Sequence, residues 1–505
     1  GSARAAMGGL RLAAALAMVA CATVAADALV APRRLLKPWA RWRCGAMSDA
    51  TDDFAPLDPE AEAEEEDEDE GEYVDGIVVL VDALGGYHGR TLVERAEEEY
   101  NLGVATVLSP YLQRILEERN GAELPPHFRL PQPIRGENGD LNFAPVRRWA
   151  AAQPPVRAVL CDSDSGLAAA EAFAAGLDSI PNNGVNEARR DKYLMHEALR
   201  ARGLRCAEQR VCADVESCLE FCADLFASGR RAIMKPRRGV GSELVHVCET
   251  PAEVRAAFES LVGTAQFASL EARNREALVQ EFIEGPEYAV DTVSAGGAHR
   301  IVAVWEYHKI AANGGAFVYS ATKLKPTATL DDAGGVYSYV ADVMDALGVS
   351  HGPTHTELRM TKSGPVLIEV NCRWHDTDFS GICNACVGYN AHDLTLDAYL
   401  RPERVRDLPK MPLDLQAHGR IVHLVCYAEG TVREVRHEAE AQALESCRAF
   451  KVHEEFGVGE AVTPTVDIRT DAGFAILWHE DPEVVERDYQ QILEWQKDMF
   501  DVTPA

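Results

Sequence analysis

An α/β unit followed by a larger α+β body is the architecture expected of this 505-residue chain, and three features point there. The run Ile77-Val-Val-Leu-Val81 is continuously apolar, as in a strand buried on both faces of a parallel sheet, and a helical pattern follows over residues 90–100. Between residues 232 and 371 strand-like runs outnumber crossover helices, which favours antiparallel pairing. The length corresponds to about three domains of roughly 150 residues. A composition 47% hydrophobic and 26% charged supplies the cores and excludes global disorder.

Charge sorts the chain further. The formal net charge is −30, a poor match for a phosphate backbone, so no nucleic-acid partner is expected. Residues 1–48 carry +6 and read as a targeting presequence. Their apolar stretch, 12–25, is too short and Ala-rich for a bilayer span and suits a secretory signal, and the basic, acid-poor segment behind it suits a transit peptide. That pair of signals addresses a plastid, with plain secretion as the alternative, and leaves no membrane anchor in the mature form. Residues 49–75 carry fifteen acids and no base, an acidic, disordered linker. The thirteen cysteines have no framework spacing, and Cys383-x-x-Cys386 reads as core packing.

In the α/β unit, residues 76–185, further strands are expected at 103–108 and 157–161 and a helix at 166–176. There is no GxGxxG, so a dinucleotide site is not indicated. A helix over 186–203 opens the middle part, 186–408. Strand 232–235 enters the turn Pro236-Arg-Arg-Gly-Val-Gly-Ser242 and returns at 244–247, within a hairpin-bearing region of about 205–285. Further strands are expected at 278–283, 288–294, 300–306, 354–360 and 365–371, with helices at 335–347 and 393–400. The last unit, 409–505, opens with a strand at 421–425 and closes with a helix over 481–500.

The chemistry is read from the hairpin around Thr361-Lys-Ser-Gly364. Centred near residue 363, it sets Glu357 opposite Glu369 and His355 opposite Asn371, and alternation puts Glu369, Asn371 and Arg373 on one sheet face. Opposed carboxylates repel unless a cation or a shared proton intervenes, and Mg²⁺ accepts such oxygen ligands together with substrate phosphates. The glycine turn at 236–242 lets backbone N–H groups approach phosphate oxygens, with Lys235 and Lys192 supplying positive charge.

The order Arg190-Asp-Lys192-Tyr, Lys235-Pro-x-x-Gly-x-Gly-Ser242, Val279-Gln-Glu-Phe-Ile-Glu-Gly285-x-Glu287, Glu357 and Leu367-Ile-Glu369-Val-Asn371-x-Arg373 resembles the ATP-grasp superfamily, with its likeness to the carboxylate-amine and L-amino-acid ligases. The resemblance implies a Rossmann-like pre-ATP-grasp domain, an ATP-grasp domain and a C-terminal α+β domain. It implies that Lys192 and Lys235 contact ATP phosphates under a loop comprising Arg238, Gly239, Gly241 and Ser242. Gln280, with Glu281, Phe282 and Ile283, would hold adenine, and Glu287 the ribose. Glu357, Glu369 and Asn371 would hold two Mg²⁺, with Mn²⁺ as an alternative ion, and Arg373 would steady the phosphoryl group. The implied reaction joins a small-molecule carboxylate to an amine through an acyl phosphate, releasing ADP, and a homodimer is compatible with it. A carboxylase and an inactive ATP-binding sensor are the alternatives. Many relatives read Gly-Ala-Arg-Leu-His-Gly-Gly where this chain has Asn371-Cys-Arg-Trp-His375-Asp-Thr-Asp378, so Trp374, His375, Asp378 and, from Glu306-Tyr-His308-Lys309, His308 are candidate substrate contacts. His355 is expected to be structural.

Overall fold

A computed structural model describes residues 75–83, 87–121, 123–136, 138–269, 272–327, 330, 335–375, 379–412 and 414–504. The presequence, all of the acidic linker except Asp75, and Asp378 lie outside these residues. None of the described helices is long and apolar enough to cross a membrane.

Ile77–Val81 is the central strand of a three-stranded parallel sheet, flanked by Gly103–Val107 and Val156–Cys161. All five of its residues are buried, as a continuous apolar run requires. The three strands end at one edge, where Asp82 accepts a hydrogen bond from the Ser109 backbone N–H at 2.7 Å. Asp164 follows the third strand at that edge.

The helix expected over 186–203 forms in two pieces. Glu187–Arg189 is a 3-10 turn, and Asp191 then caps the helix Lys192–Ala201 by accepting from the N–H groups of Tyr193 and Leu194 at 3.0 and 3.1 Å. A short acceptor side chain two or three residues before free N–H groups restarts the helix, and it makes Lys192 the first helical residue.

A four-stranded antiparallel sheet follows, ordered Gln209–Cys212, Ala277–Glu281, Ala232–Lys235, His246–Cys248. The returning strand starts two residues later than expected, because Gly241, Ser242 and Leu244 all take positive φ and prolong the turn. The larger sheet has eight strands, ordered Gly364–Asn371, His351–Thr361, Glu287–Ala295, Ala298–Ala312, Gly315–Leu324, His418–His423, Gly473–His479, Cys447–Val452. Every pair in it is antiparallel, as expected of this α+β part. The strand Gly315–Leu324 had no sequence counterpart, and through it the last three strands join the same sheet. The final helix is Pro482–Trp495, shorter than the expected 481–500, because Phe500–Thr503 instead pairs with Gly430–Val435. Cys383 and Cys386 are buried and not disulfide-bonded, in the core with Trp305 and Phe379, in the packing role expected of them.

Gly285 joins the two sheets. Its φ is +133°, and a Cβ there would run into the Met360 carbonyl oxygen, next to the hydrogen bond that the Met360 N–H donates to the Pro286 carbonyl at 3.0 Å. Gly285→Ala should therefore cost about 1–3 kcal/mol, read as a lower midpoint in urea denaturation with an unchanged slope.

Candidate active site

Strand alternation builds one wall of a cavity between the two sheets. His355, Glu357 and Arg359 are two apart on one strand and share a face. Opposite them stand Asp291, Ala289 and Glu287, and Tyr307 stands opposite Glu287 on the next strand. The edge strand brings Glu369 opposite Glu357 and Asn371 opposite His355, as the spacing predicted. This register depends on a bulge. The turn pairs Thr361 with Gly364, which by itself would set Glu357 against Ile368, but the register shifts between Glu357 and Leu358 and leaves Ile368 as the extra residue.

The glycine turn and Lys235 close the cavity from the smaller lobe. Lys192 ties the two walls together: its ammonium donates to the Gly239 carbonyl at 2.8 Å and lies 2.7 Å from Glu369. Burial alone would push the Glu369 carboxyl up, but Lys192, Lys235 and Asn371 hold it down at about 2. Lys235 is 4% exposed, and burial together with the neighbouring Lys192 charge pulls its ammonium down to about 8. Glu357, Glu369 and Asn371 form the all-oxygen set that Mg²⁺ accepts, and the Lys192 ammonium on Glu369 marks where a cation settles on this pair. The residues fit the ion.

Gln280 through Ile283 line the far end, where the Gln280 amide donates to the Gln209 side chain at 2.9 Å. Glu287 is clamped by Lys309 at 2.5 Å and Arg359 at 2.8 Å. Burial opposes its ionisation, yet the two cations hold its carboxyl below the usual range. Arg373 reaches the opposite end and is held by both oxygens of Asp164, each at 2.7 Å.

Several expected contacts are placed differently. The Arg238 side chain turns to Glu187 at 3.2 Å and is not part of the cavity wall, although Gly239, Gly241 and Ser242 are. His308 faces the other side of its strand, 3.6 Å from Glu306, because its neighbours Tyr307 and Lys309 take the cavity face. Trp374 is buried away from the cavity, donating to the Thr395 hydroxyl at 3.1 Å and stacking on His392. His375 does line the cavity. So does His355, expected to be structural, which bonds Asp291 at 3.2 Å and Glu357 at 3.4 Å. Burial would lower its pKa, but these two carboxylates raise it to about 10. The segment Glu306-Tyr-His308-Lys309 does reach the cavity, through Tyr307 and Lys309, whereas sequence reasoning missed Asp291 and Tyr319. The only available signal was the phase of alternation once a neighbouring strand was anchored.

Residues 229–385 match the family model of the ATP-grasp domain. The chain therefore carries an ATP-grasp domain, and it is similar in sequence and in fold to enzymes of the ligase type. It is 24% identical over 349 residues to dapdiamide A synthase of Enterobacter agglomerans, an alignment covering 68% of this chain and 80% of that one. Among solved structures, an L-amino acid ligase from Bacillus licheniformis has the same fold, with a TM-score of 0.61 at 18% identity over 86% of this chain and 100% of that one. A carboxyaminoimidazole ribonucleotide synthase from Aspergillus clavatus, complexed with ATP, has a TM-score of 0.56 at 15% identity over 84% of this chain and 99% of that one.

Asp164 is the main partner that the parallel sheet offers Arg373, and both side chains are largely buried. Asp164→Ala leaves a buried guanidinium without its bidentate carboxylate and should cost about 3 kcal/mol of stability. Urea denaturation of the full chain measures it.

Proposed function

We propose that the chain is an ATP-dependent carboxylate-amine ligase working through an acyl phosphate. The observation that carries this reading is the opposed Glu357/Glu369 pair within one cavity with Lys192, Lys235 and Arg373. Phosphoryl transfer asks a protein mainly for positioning and charge neutralisation, and those five groups supply both without a protein nucleophile. Gln280 to Ile283 would take the adenine and Glu287 the ribose. Lys192 and Lys235 would hold phosphate oxygens under the glycine turn. Glu357, Glu369 and Asn371 would hold two Mg²⁺, whose charge would help neutralise the phosphates during transfer. Arg373, steadied by Asp164, would meet the phosphoryl group as the substrate carboxylate attacks in line, giving ADP. The turn would cover the acyl phosphate against water until an amine displaces phosphate.

The test is incubation of the chain with ATP, Mg²⁺ and pooled L-amino acids and metabolite carboxylates, following phosphate release. The nucleotide product should be ADP, because attack falls on the γ-phosphorus; AMP with pyrophosphate would refute the mechanism. Glu369→Gln should lower phosphate release by more than about tenfold, or ~1.4 kcal/mol, with the unfolding midpoint showing that the fold is intact.

Lys235 gives a second expectation. Its ammonium sits near pH 8 in the free protein, and a phosphate beside it favours the charged form, so binding raises the pKa and draws in a proton. At pH 8 ATP binding should take up about half a proton, and affinity should weaken as pH rises further. Titration calorimetry in buffers of different ionisation enthalpy measures the uptake, which Lys235→Met should abolish.

A further inference from the structure

Beyond the phosphate-facing groups, the cavity wall holds a second array that the phosphoryl step does not use. The Tyr307 hydroxyl lies 2.8 Å from His375 Nε2. On its other side, His375 Nδ1 lies 3.3 Å from Asp291. Asp291 is 6% exposed and is fixed by the indole N–H of the fully buried Trp305 at 2.7 Å. Phe379 stacks on the His375 ring at 4.1 Å between centroids. Although burial opposes ionisation, His375 and His355 hold the Asp291 carboxyl well below the usual carboxylate range. The result is a line from a buried anion through an imidazole to a phenol at the cavity wall, next to the metal-side carboxylates. Tyr307 and Glu357 both contact His355 Nε2, which places the phenol one imidazole nitrogen away from Glu357.

A hydrogen-bonded base oriented by a third group is the arrangement that activates a nucleophile. In the proposed reaction the nucleophile needing activation is the acceptor amine, which arrives as an ammonium ion without a lone pair. We infer that Tyr307 and His375 form a proton relay that deprotonates the acceptor amine, with Asp291 as the positioning residue, an inference that rests on the ligase reading above. The ammonium proton passes to the Tyr307 oxygen as the phenol proton passes to His375 Nε2, and Asp291 balances the imidazolium. The amine lone pair then forms the C–N bond, and the bond from acyl carbon to phosphate oxygen breaks with its electron pair on oxygen. The second amine proton leaves with the phosphate as hydrogen phosphate.

The experiment compares two nucleophiles on the full chain with ATP, Mg²⁺ and the carboxylate pool. Hydroxylamine is uncharged at neutral pH and needs no base, whereas the pooled L-amino acids do. Wild type should give both hydroxamate and amide. Tyr307→Phe and His375→Gln should keep hydroxamate formation within about threefold while amide formation falls about a hundredfold or more. Retained hydroxamate formation also shows that the variants fold. In the variants, amide formation should climb with pH through the range where the amine loses its proton, while wild type levels off earlier. Equal loss of both products, or loss of neither, overturns the relay while leaving the ligase reading intact. A stoichiometric transition metal in the purified chain that His375→Gln removes also overturns it, since Asp291, His355 and His375 present ligand atoms within 4.8 Å of one another. No hydroxamate from wild type overturns the ligase reading and the relay with it.

Discussion

Two carboxylates held face to face across a hairpin repel each other, and most of this site answers that repulsion. Glu357 and Glu369 are set opposite one another by backbone register, so their side chains start from adjacent positions on one sheet face. Each has a cation: Lys192 on Glu369 and His355 on Glu357. Lys192 is available because Asp191 restarts a helix one residue before it, and its second bond to Gly239 pulls the glycine turn over the pair. His355 is charged because a second carboxylate, Asp291, stands behind it. The acidic pair therefore organises the loop above and the histidine layer below.

The same balance recurs at each end of the cavity. Glu287 is offset by Lys309 and Arg359, and Arg373 by Asp164. An anionic nucleotide entering this space meets cations already committed to internal partners. Preorganisation of that kind costs stability in the free protein and spares reorganisation when charge develops. Lys235 departs from the pattern: its pKa is lowered by burial and by Lys192, with the carboxylates only partly compensating.

What the sequence disclosed followed from local periodicity. Ile77–Val81, the Glu357/Glu369 pairing and the glycine turn each needed only a run, a turn or a short spacing. The pairing came out correctly because the estimated hairpin centre absorbed a bulge at Ile368 that spacing could not show. Within Glu306-Tyr-His308-Lys309 it is Tyr307 and Lys309, not His308, that face the cavity, since nothing within that strand says which side is inward. Trp374 lies just past the end of its strand, where alternation no longer constrains direction. Asp291 was out of reach because its significance comes from His355 and His375, residues 64 and 84 positions away.

In the proposed ligase reaction the internal partners would also connect the groups that meet metal, phosphate and amine. Glu369 would hold a divalent ion more strongly than it holds the Lys192 ammonium, because a doubly charged ion outcompetes a single ammonium for a carboxylate in a water-poor site. The Lys192 ammonium would then be available to phosphate oxygens, while its bond to Gly239 ties it to the turn. Lys192 thus touches both the metal-side carboxylate Glu369 and the glycine turn at Gly239. His355, between Glu357 and Asp291, links the metal-side carboxylate to the histidine layer that includes His375. A cation held by Glu357 would weaken that carboxylate's hold on His355 and leave the imidazole more strongly drawn to Asp291. The groups that would meet phosphate and those that would meet the amine are therefore linked by one hydrogen-bonded chain, Glu357 to His355 to Asp291 to His375.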